Sequence, residues 1–263
     1  MRLSLSKSIK GILIDIDGTI IHKGKPIEGA IETLNFLKKN KIKILYLTNT
    51  DSKIPQSVAE NLRNLGLNIE EKEIFSPIIA LKNFLLTQKD KKIYLISNKE
   101  IREEFRQFKL VNSTENPDFV VIGDFRDDWN VEYLNEAFKC VLNGAKLLGT
   151  QGNMFFLNSM GEPTLDTGAF VNLISNAANV KPEIFGKPDK NFFLKALKLL
   201  NLDKSEVLVI GDDLYSDILG AQKVGIDAFL VRTGKGSIIK EDELKKIKPI
   251  KIIDSINNIL EFL

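Results

Sequence analysis

Ile14-Asp15-Ile16-Asp17-Gly18-Thr19-Ile20 is the stretch on which the fold reading turns. It continues a short apolar run, Ile12-Leu13-Ile14, that reads as a buried strand, and Gly18 breaks the pattern. In a strand, residues two apart point to one side, so the Asp15 and Asp17 carboxylates are expected to face one spot at the strand's carboxyl end. Two such charges repel, which predicts a metal ion between them, a shared proton, or both. A solvated turn is the competing reading, because Asp and Gly are ordinary turn residues.

Other strand ends carry the same kind of chemistry. Ile42-Lys43-Ile44-Leu45-Tyr46-Leu47 reads as a second buried strand and ends in Thr48-Asn49-Thr50. A hydroxyl and an amide followed by free backbone N–H groups suit a phosphate. Val207-Leu208-Val209-Ile210 runs into Gly211-Asp212-Asp213-Leu214-Tyr215-Ser216-Asp217, again acidic where a strand stops. Gly186-Lys187-Pro188 fixes a lysine between a flexible and a rigid residue. Ligands of open α/β sheets bind outside the carboxyl ends of the strands, so these segments predict one oxygen-rich, phosphate-sized site.

Strand and helix patterns alternate along the chain. Amphipathic helices are expected from Gly29 to Asn40, from Pro55 to Leu65 with Gly66 as the stop, and from Ile78 to Leu86. Such alternation predicts an α/β fold with a parallel, doubly wound sheet. From Gln88 to Val180 a second alternation follows: strand Ile93-Tyr94-Leu95-Ile96, helix Glu100 to Phe108, strand Phe119-Val120-Val121-Ile122 and helix Val131 to Leu142. Lys146-Leu147-Leu148-Gly149 and Met154-Phe155-Phe156-Leu157 then flank a polar bend, Thr150-Gln151-Gly152-Asn153. The site motifs lie on either side of this stretch, so an inserted domain is expected at 79–180, between core segments 1–78 and 181–263.

Composition narrows the chemistry. At 263 residues, 43% hydrophobic and 27% charged, the chain can bury a sizeable core. A net charge of +2 argues against nucleic acid or an acidic membrane as partner, and lysine runs such as Lys89-Asp90-Lys91-Lys92 read as solvated surface. Cys140 is the only cysteine, which excludes an internal disulfide and fits a reducing compartment. His22 is the only histidine, so zinc sites rich in His and Cys are excluded, as is a Ser-His-Asp mechanism that does not use it. Just past the Asp15 loop, His22 reads as a surface group on a small flap. Met1 to Lys10 lacks a long apolar run, so neither a signal peptide nor a membrane span is expected there, and the protein is expected to be cytoplasmic.

The order Asp15-x-Asp17-Gly18-Thr19, Thr48-Asn49, Gly186-Lys187-Pro188 and Gly211-Asp212-Asp213-x-x-x-Asp217 resembles the four motifs of the haloacid dehalogenase superfamily. It looks most like the phosphatases with a type IIA cap, the p-nitrophenyl phosphatase and nucleotide monophosphatase branch, and is also similar to the phospholysine, phosphohistidine and pyrophosphate phosphatases. The resemblance covers nearly the whole chain, Gly144-Ala145 and Asp166-Thr167-Gly168 included. It implies a Rossmann-like core with an inserted α/β cap and hydrolysis of a small phosphomonoester, a nucleotide or sugar phosphate. The hard oxygen ligands select Mg²⁺. By the family pattern Asp15 is the nucleophile and forms an aspartyl-phosphate, while Asp17 is the acid and then the base. Mg²⁺ would be held by the Asp15 and Asp212 carboxylates and the Asp17 carbonyl. Thr48, Asn49 and Lys187, beside Asp15 and Asp17, would hold the phosphoryl group.

Asp213 and Asp217 keep two readings, orientation of Lys187 or metal-bound water, or capping of the following helix. Asp203 and Glu206 read as surface and turn residues. A second acid at position 17 argues against carbon–halogen cleavage, and the short interval between the first two motifs against a phosphomutase. A phosphate-binding regulatory protein and a phosphoamide or pyrophosphate hydrolase are the alternatives. Selectivity is expected in the cap, at Thr150, Gln151 and Asn153, where the family often has asparagine in place of Gln151; a plain solvent-facing hairpin turn is the other reading of that bend. An exposed face of the cap sheet would offer a route to a homodimer.

Overall fold

The computed structural model describes residues 9–158 and 160–263. The expectation for Met1 to Lys10 falls, up to residue 8, outside the described residues. Two compact units form: one takes the chain up to Thr48 together with Val58–Phe75 and Lys187–Leu263, the other takes Asn49–Ser57 and Ser76–Gly186.

The first unit is built on six parallel strands in the order Lys251–Ile253, Asp227–Val231, Val207–Gly211, Gly11–Asp15, Lys43–Leu47, Ile74–Phe75. Gly11–Asp15 is thus paired on one side with Val207–Gly211 and on the other with Lys43–Leu47, which brings the three motif-bearing strand ends side by side. Alternation sorts their side chains. Ile12, Ile14, Ile44, Tyr46, Leu208 and Ile210 enter one core cluster with Leu34 and Leu37 of the Ala30–Lys39 helix and Val58 and Leu62 of the Pro55–Asn64 helix. Leu13 and Val209 point the other way and are equally buried, so both faces of the sheet are covered. The Lys190–Leu200 helix buries Phe192 and Phe193, Phe192 stacking on Phe75 at 4.6 Å. Winding runs outward from Gly11–Asp15 in one direction and from Val207–Gly211 in the other, so the topological switch point lies between the strands that carry Asp15 and Asp212.

The second unit is an inserted α/β body with its own parallel sheet, ordered Glu183–Ile184, Lys146–Gly149, Phe119–Ile122, Ile93–Ile96. Val120, Ile122 and Leu147 pack with Ala137 and Cys140 of the Val131–Leu142 helix and Val171 and Ile174 of the Thr167–Ala178 helix.

One local expectation needs correction, and one alternative reading falls. The helix expected from Glu100 to Phe108 is only Lys99–Glu104; beyond it the chain tightens, Phe108 N–H donating to the Phe105 carbonyl, and the two rings lie 5.6 Å apart. The bend at Thr150-Gln151-Gly152-Asn153 is not a solvent-facing hairpin turn, since its flanking strands do not pair with each other. Phe155–Leu157 instead pairs antiparallel with Pro163–Leu165, and Thr150 and Gln151 are fully buried. No helix among the described residues is long and apolar enough to cross a membrane.

Candidate active site

The Gly11–Asp15 strand delivers Asp15 into near-complete burial at its carboxyl end, where Oδ2 accepts from Thr19 Oγ1 at 2.9 Å. The strand stops there, so its two-residue alternation no longer places Asp17, which is exposed and bridges to Ile21 in the next turn. Gly18 sits at φ 90°, a conformation that side chains resist, and a Cβ on it would lie 2.0 Å from Asp212 Oδ2.

Lys187 is buried to 2% exposure, and its Nζ donates to Asp15 Oδ1 at 2.5 Å and Asp217 Oδ1 at 2.7 Å. Burial works against this ammonium, yet the two carboxylates raise its pKa above the ordinary lysine value. Asp212, from the end of the neighbouring strand, joins Asp15 and Asp217 in a group whose ligand oxygens all lie within 4.8 Å of one another. Burial first, and then the Asp15 and Asp217 charges, push the Asp212 carboxyl well above its usual range. Asp217 is likewise raised, chiefly by burial.

Asp213 stands apart from that group. Its Oδ1 accepts from the Tyr215 and Ser216 N–H groups, capping the single π-turn Leu214–Ile218, and its Oδ2 pairs with Lys235 Nζ at 2.6 Å. Burial opposes ionisation, but Lys235 holds the Asp213 pKa below the usual carboxylate range. Thr48 is buried, with its N–H donating to the Phe75 carbonyl at 3.3 Å.

Models of the family described as haloacid dehalogenase-like hydrolase and of the HAD-hydrolase-like family match residues 12–110 and 184–259. The haloacid dehalogenase-like hydrolase domain-containing protein 2 of Bos taurus is 31% identical over 92% of this chain and 91% of its own length. The 5'-nucleotidase YutF of Bacillus subtilis is 30% identical over 98% of this chain and all of its own. The chain belongs to the haloacid dehalogenase-like hydrolases. Its fold agrees with the p-nitrophenyl phosphatase of Archaeoglobus fulgidus at a TM-score of 0.89 and 27% identity, covering 98% of this chain and all of the other.

In this hydrolase the remaining expected residues, Asn49, Thr150, Gln151 and Asn153, belong to the second unit. Asn49 Nδ2 donates to Asn153 Oδ1 at 3.2 Å, and Asn153 N–H donates to Gln151 Oε1 at 2.6 Å. Gln151 Nε2 is buried without a hydrogen-bond partner among the described residues, and burial raises the pKa of the nearby Asp166 carboxyl, an effect that Gln151 offsets only slightly. Thr150 turns away from this chain of amides and donates to Asp51 Oδ2 at 2.5 Å.

Several contributors escaped the sequence reading. Lys235 donates its backbone N–H to Asp212 Oδ2 at 2.6 Å, Thr233 Oγ1 donates to the Gly18 carbonyl at 2.5 Å, and a Cβ on Gly234 would lie 2.0 Å from Asp212 Oδ2. Thr233-Gly234-Lys235 follows the Asp227–Val231 strand, so the position of a strand end was the signal available for it.

Proposed function

We propose that this hydrolase is a Mg²⁺-dependent phosphatase that cleaves a small phosphomonoester through an aspartyl-phosphate on Asp15. The observation that carries the reading is the Lys187 ammonium bonded to Asp15 and Asp217 in full burial, with Asp212 completing the acidic group. Similarity to a p-nitrophenyl phosphatase and to a 5'-nucleotidase supports it.

A divalent cation fits these residues. Asp15, Asp212 and Asp217 bring three carboxylates against one lysine, because the Lys235 ammonium is engaged with Asp213. With all three carboxylates ionised, two negative charges are left in a buried, all-oxygen donor set. Hard oxygen donors select Mg²⁺. Asp15 and Asp212, with the Asp17 carbonyl, would hold it. Bound there, it would supply positive charge against the phosphoryl oxygens and the departing oxygen.

An Asp15 carboxylate oxygen attacks phosphorus, and the bond from phosphorus to the leaving oxygen breaks. Asp17 gives its proton to that oxygen. A water molecule then attacks the aspartyl-phosphate, Asp17 takes the water's proton, and release of phosphate restores Asp15. Lys187, Thr48 and Asn49 hold the phosphoryl oxygens, Lys187 also offsetting charge on the nucleophile. Asp217 keeps Lys187 in place. Selectivity for the leaving group is assigned to Gln151 and Asn153 of the inserted unit. Release of phosphate from p-nitrophenyl phosphate, assayed with Mg²⁺ and again after chelation, tests the reading. Turnover that survives exhaustive metal removal refutes it.

A further inference from the structure

Asp51 is a buried acid for which the proposed mechanism has no use. It lies in Asn49–Ser57, a segment that packs with the inserted unit although the chain on both sides of it belongs to the core. Its carboxylate is 2% exposed and makes no ion pair among the described residues. A turn aspartate would cap backbone N–H groups, but this one accepts from two hydroxyls. Thr150 Oγ1 reaches Oδ2 at 2.5 Å from the end of the Lys146–Gly149 strand, and Thr167 Oγ1 reaches it at 2.7 Å from the first turn of the Thr167–Ala178 helix.

The surroundings raise the cost of this arrangement. Asp124 and Asp166 add negative charge, and the Arg126 guanidinium is taken by Asp124. A carboxylate kept in such a place must gain fixity for its segment. Asn98 Nδ2 donates to the Ser52 carbonyl at 2.8 Å and Ile54 N–H to Glu100 Oε1 at 2.9 Å, so the whole segment is pinned. Two residues before Asp51, the Asn49 carboxamide is boxed in. It reaches Asn153, and a Cβ on Gly186 would lie 2.7 Å from its Oδ1. Behind it, a Cβ on Gly168 would lie 2.3 Å from the Gly152 backbone, so the loop carrying Thr150 and the helix carrying Thr167 meet without slack.

We propose that Asp51 is a positioning residue: clamped by the Thr150 and Thr167 hydroxyls, it fixes the Asn49 carboxamide in the orientation that receives a phosphoryl oxygen. This rests on the phosphatase reading above. A displaced phosphoryl ligand harms every substrate alike, because the phosphoryl group is common to all of them, whereas a leaving-group contact would not. Displacement by about 1 Å costs up to about 100-fold in rate.

The test is a double-mutant cycle on kcat/KM. Thr150→Val and Thr167→Val should each lower kcat/KM by about 10-fold, and by the same factor for p-nitrophenyl phosphate and an alkyl phosphate. Thr150→Ser and Thr167→Ser, which keep the hydroxyl, should recover most of the loss. Combined with Asn49→Ala, either valine change should add almost nothing, since both act on one group. Circular dichroism and thermal melting establish which variants fold; if neither valine variant does, Thr150→Cys, a weaker donor of similar size, enters the same cycle. Losses that add with Asn49→Ala, or that differ between the two substrates, overturn the positioning role alone. A folded wild-type protein that releases no phosphate with Mg²⁺ overturns the phosphatase reading and this inference with it.

Discussion

Lys187 and Asp217, thirty residues apart in sequence, are joined at 2.7 Å with each side chain only 2% exposed. Neither tolerates such burial alone, because an unpaired buried charge costs several kcal/mol. The pair explains how a lysine reaches a pocket of carboxylates while remaining charged. Lys187→Ala should therefore weaken substrate binding and slow chemistry together, by about 100-fold or more in kcat/KM. Steady-state kinetics at fixed Mg²⁺ measure this, and a folded variant with normal constants would place Lys187 outside the chemistry.

Asp15→Asn should abolish turnover while leaving the fold intact, since a carboxamide is nearly isosteric but does not attack phosphorus. Catalytic groups of this kind carry about 10²–10⁴ in rate. Residual activity above about a hundredth of wild type would sink the assignment.

Asp17→Asn should be severe for alkyl phosphates and milder for p-nitrophenyl phosphate, whose leaving group departs without a proton. Rates compared across leaving groups of graded acidity decide it. Equal losses for all of them count against an acid at position 17.

Mg²⁺ should raise the melting temperature in a concentration-dependent way, because a ligand of the folded state alone stabilises it by mass action. Asp212→Asn should remove most of that response, and Ca²⁺, with its looser coordination, should depress turnover. A melting temperature indifferent to Mg²⁺ in the wild type would argue that the acidic group holds no such ion.

Asp51 gives stability a pH dependence with a definite sign. Burial, reinforced by Asp166 and Asp124 and only partly relieved by the two threonine hydroxyls, pushes its carboxyl up to about 7. With an unfolded value near 4, the folded state binds the extra proton between about pH 4 and 7. This contribution is full below pH 4, is lost as pH rises to 7, and is flat above. Each tenfold difference in proton affinity is worth about 1.4 kcal/mol. Asp51→Asn should consequently improve relative to wild type as the pH is raised from 5 to 8, read from melting temperatures at both. A difference between the two proteins that stays constant with pH would refute the shift.

The sheet's centre was legible because its strands are apolar runs that end in chemistry: Asp15 and Thr48 follow one directly, and Asp212 follows one after a single glycine. Ile74–Phe75 was not, since two residues carry no period. Asp17 marks the limit of strand alternation, which ends with hydrogen bonding at Asp15 and leaves the next residues to turn geometry. Lys235 acts on Asp212 through its backbone N–H, a group every residue but proline owns, so its side chain gave no hint. Asp51 belongs to no motif or periodic run in the sequence; its partners, Thr150 and Thr167, lie far along the chain.

Gly18 and Gly234 close on Asp212 from two loops, each leaving no room for a methyl group, and a Cβ on Gly234 would lie 2.5 Å from Gly18 Cα. The wall around this carboxylate is therefore main chain, written in the paths of two loops 216 positions apart by number. Transplanting Asp15, Asp17, Lys187 and Asp212 onto another parallel sheet would carry over the charges without their enclosure. A working graft would have to import both glycine turns in register with the strands beneath them, and a host whose loops crossed even slightly wider would leave Asp212 free to swing into solvent.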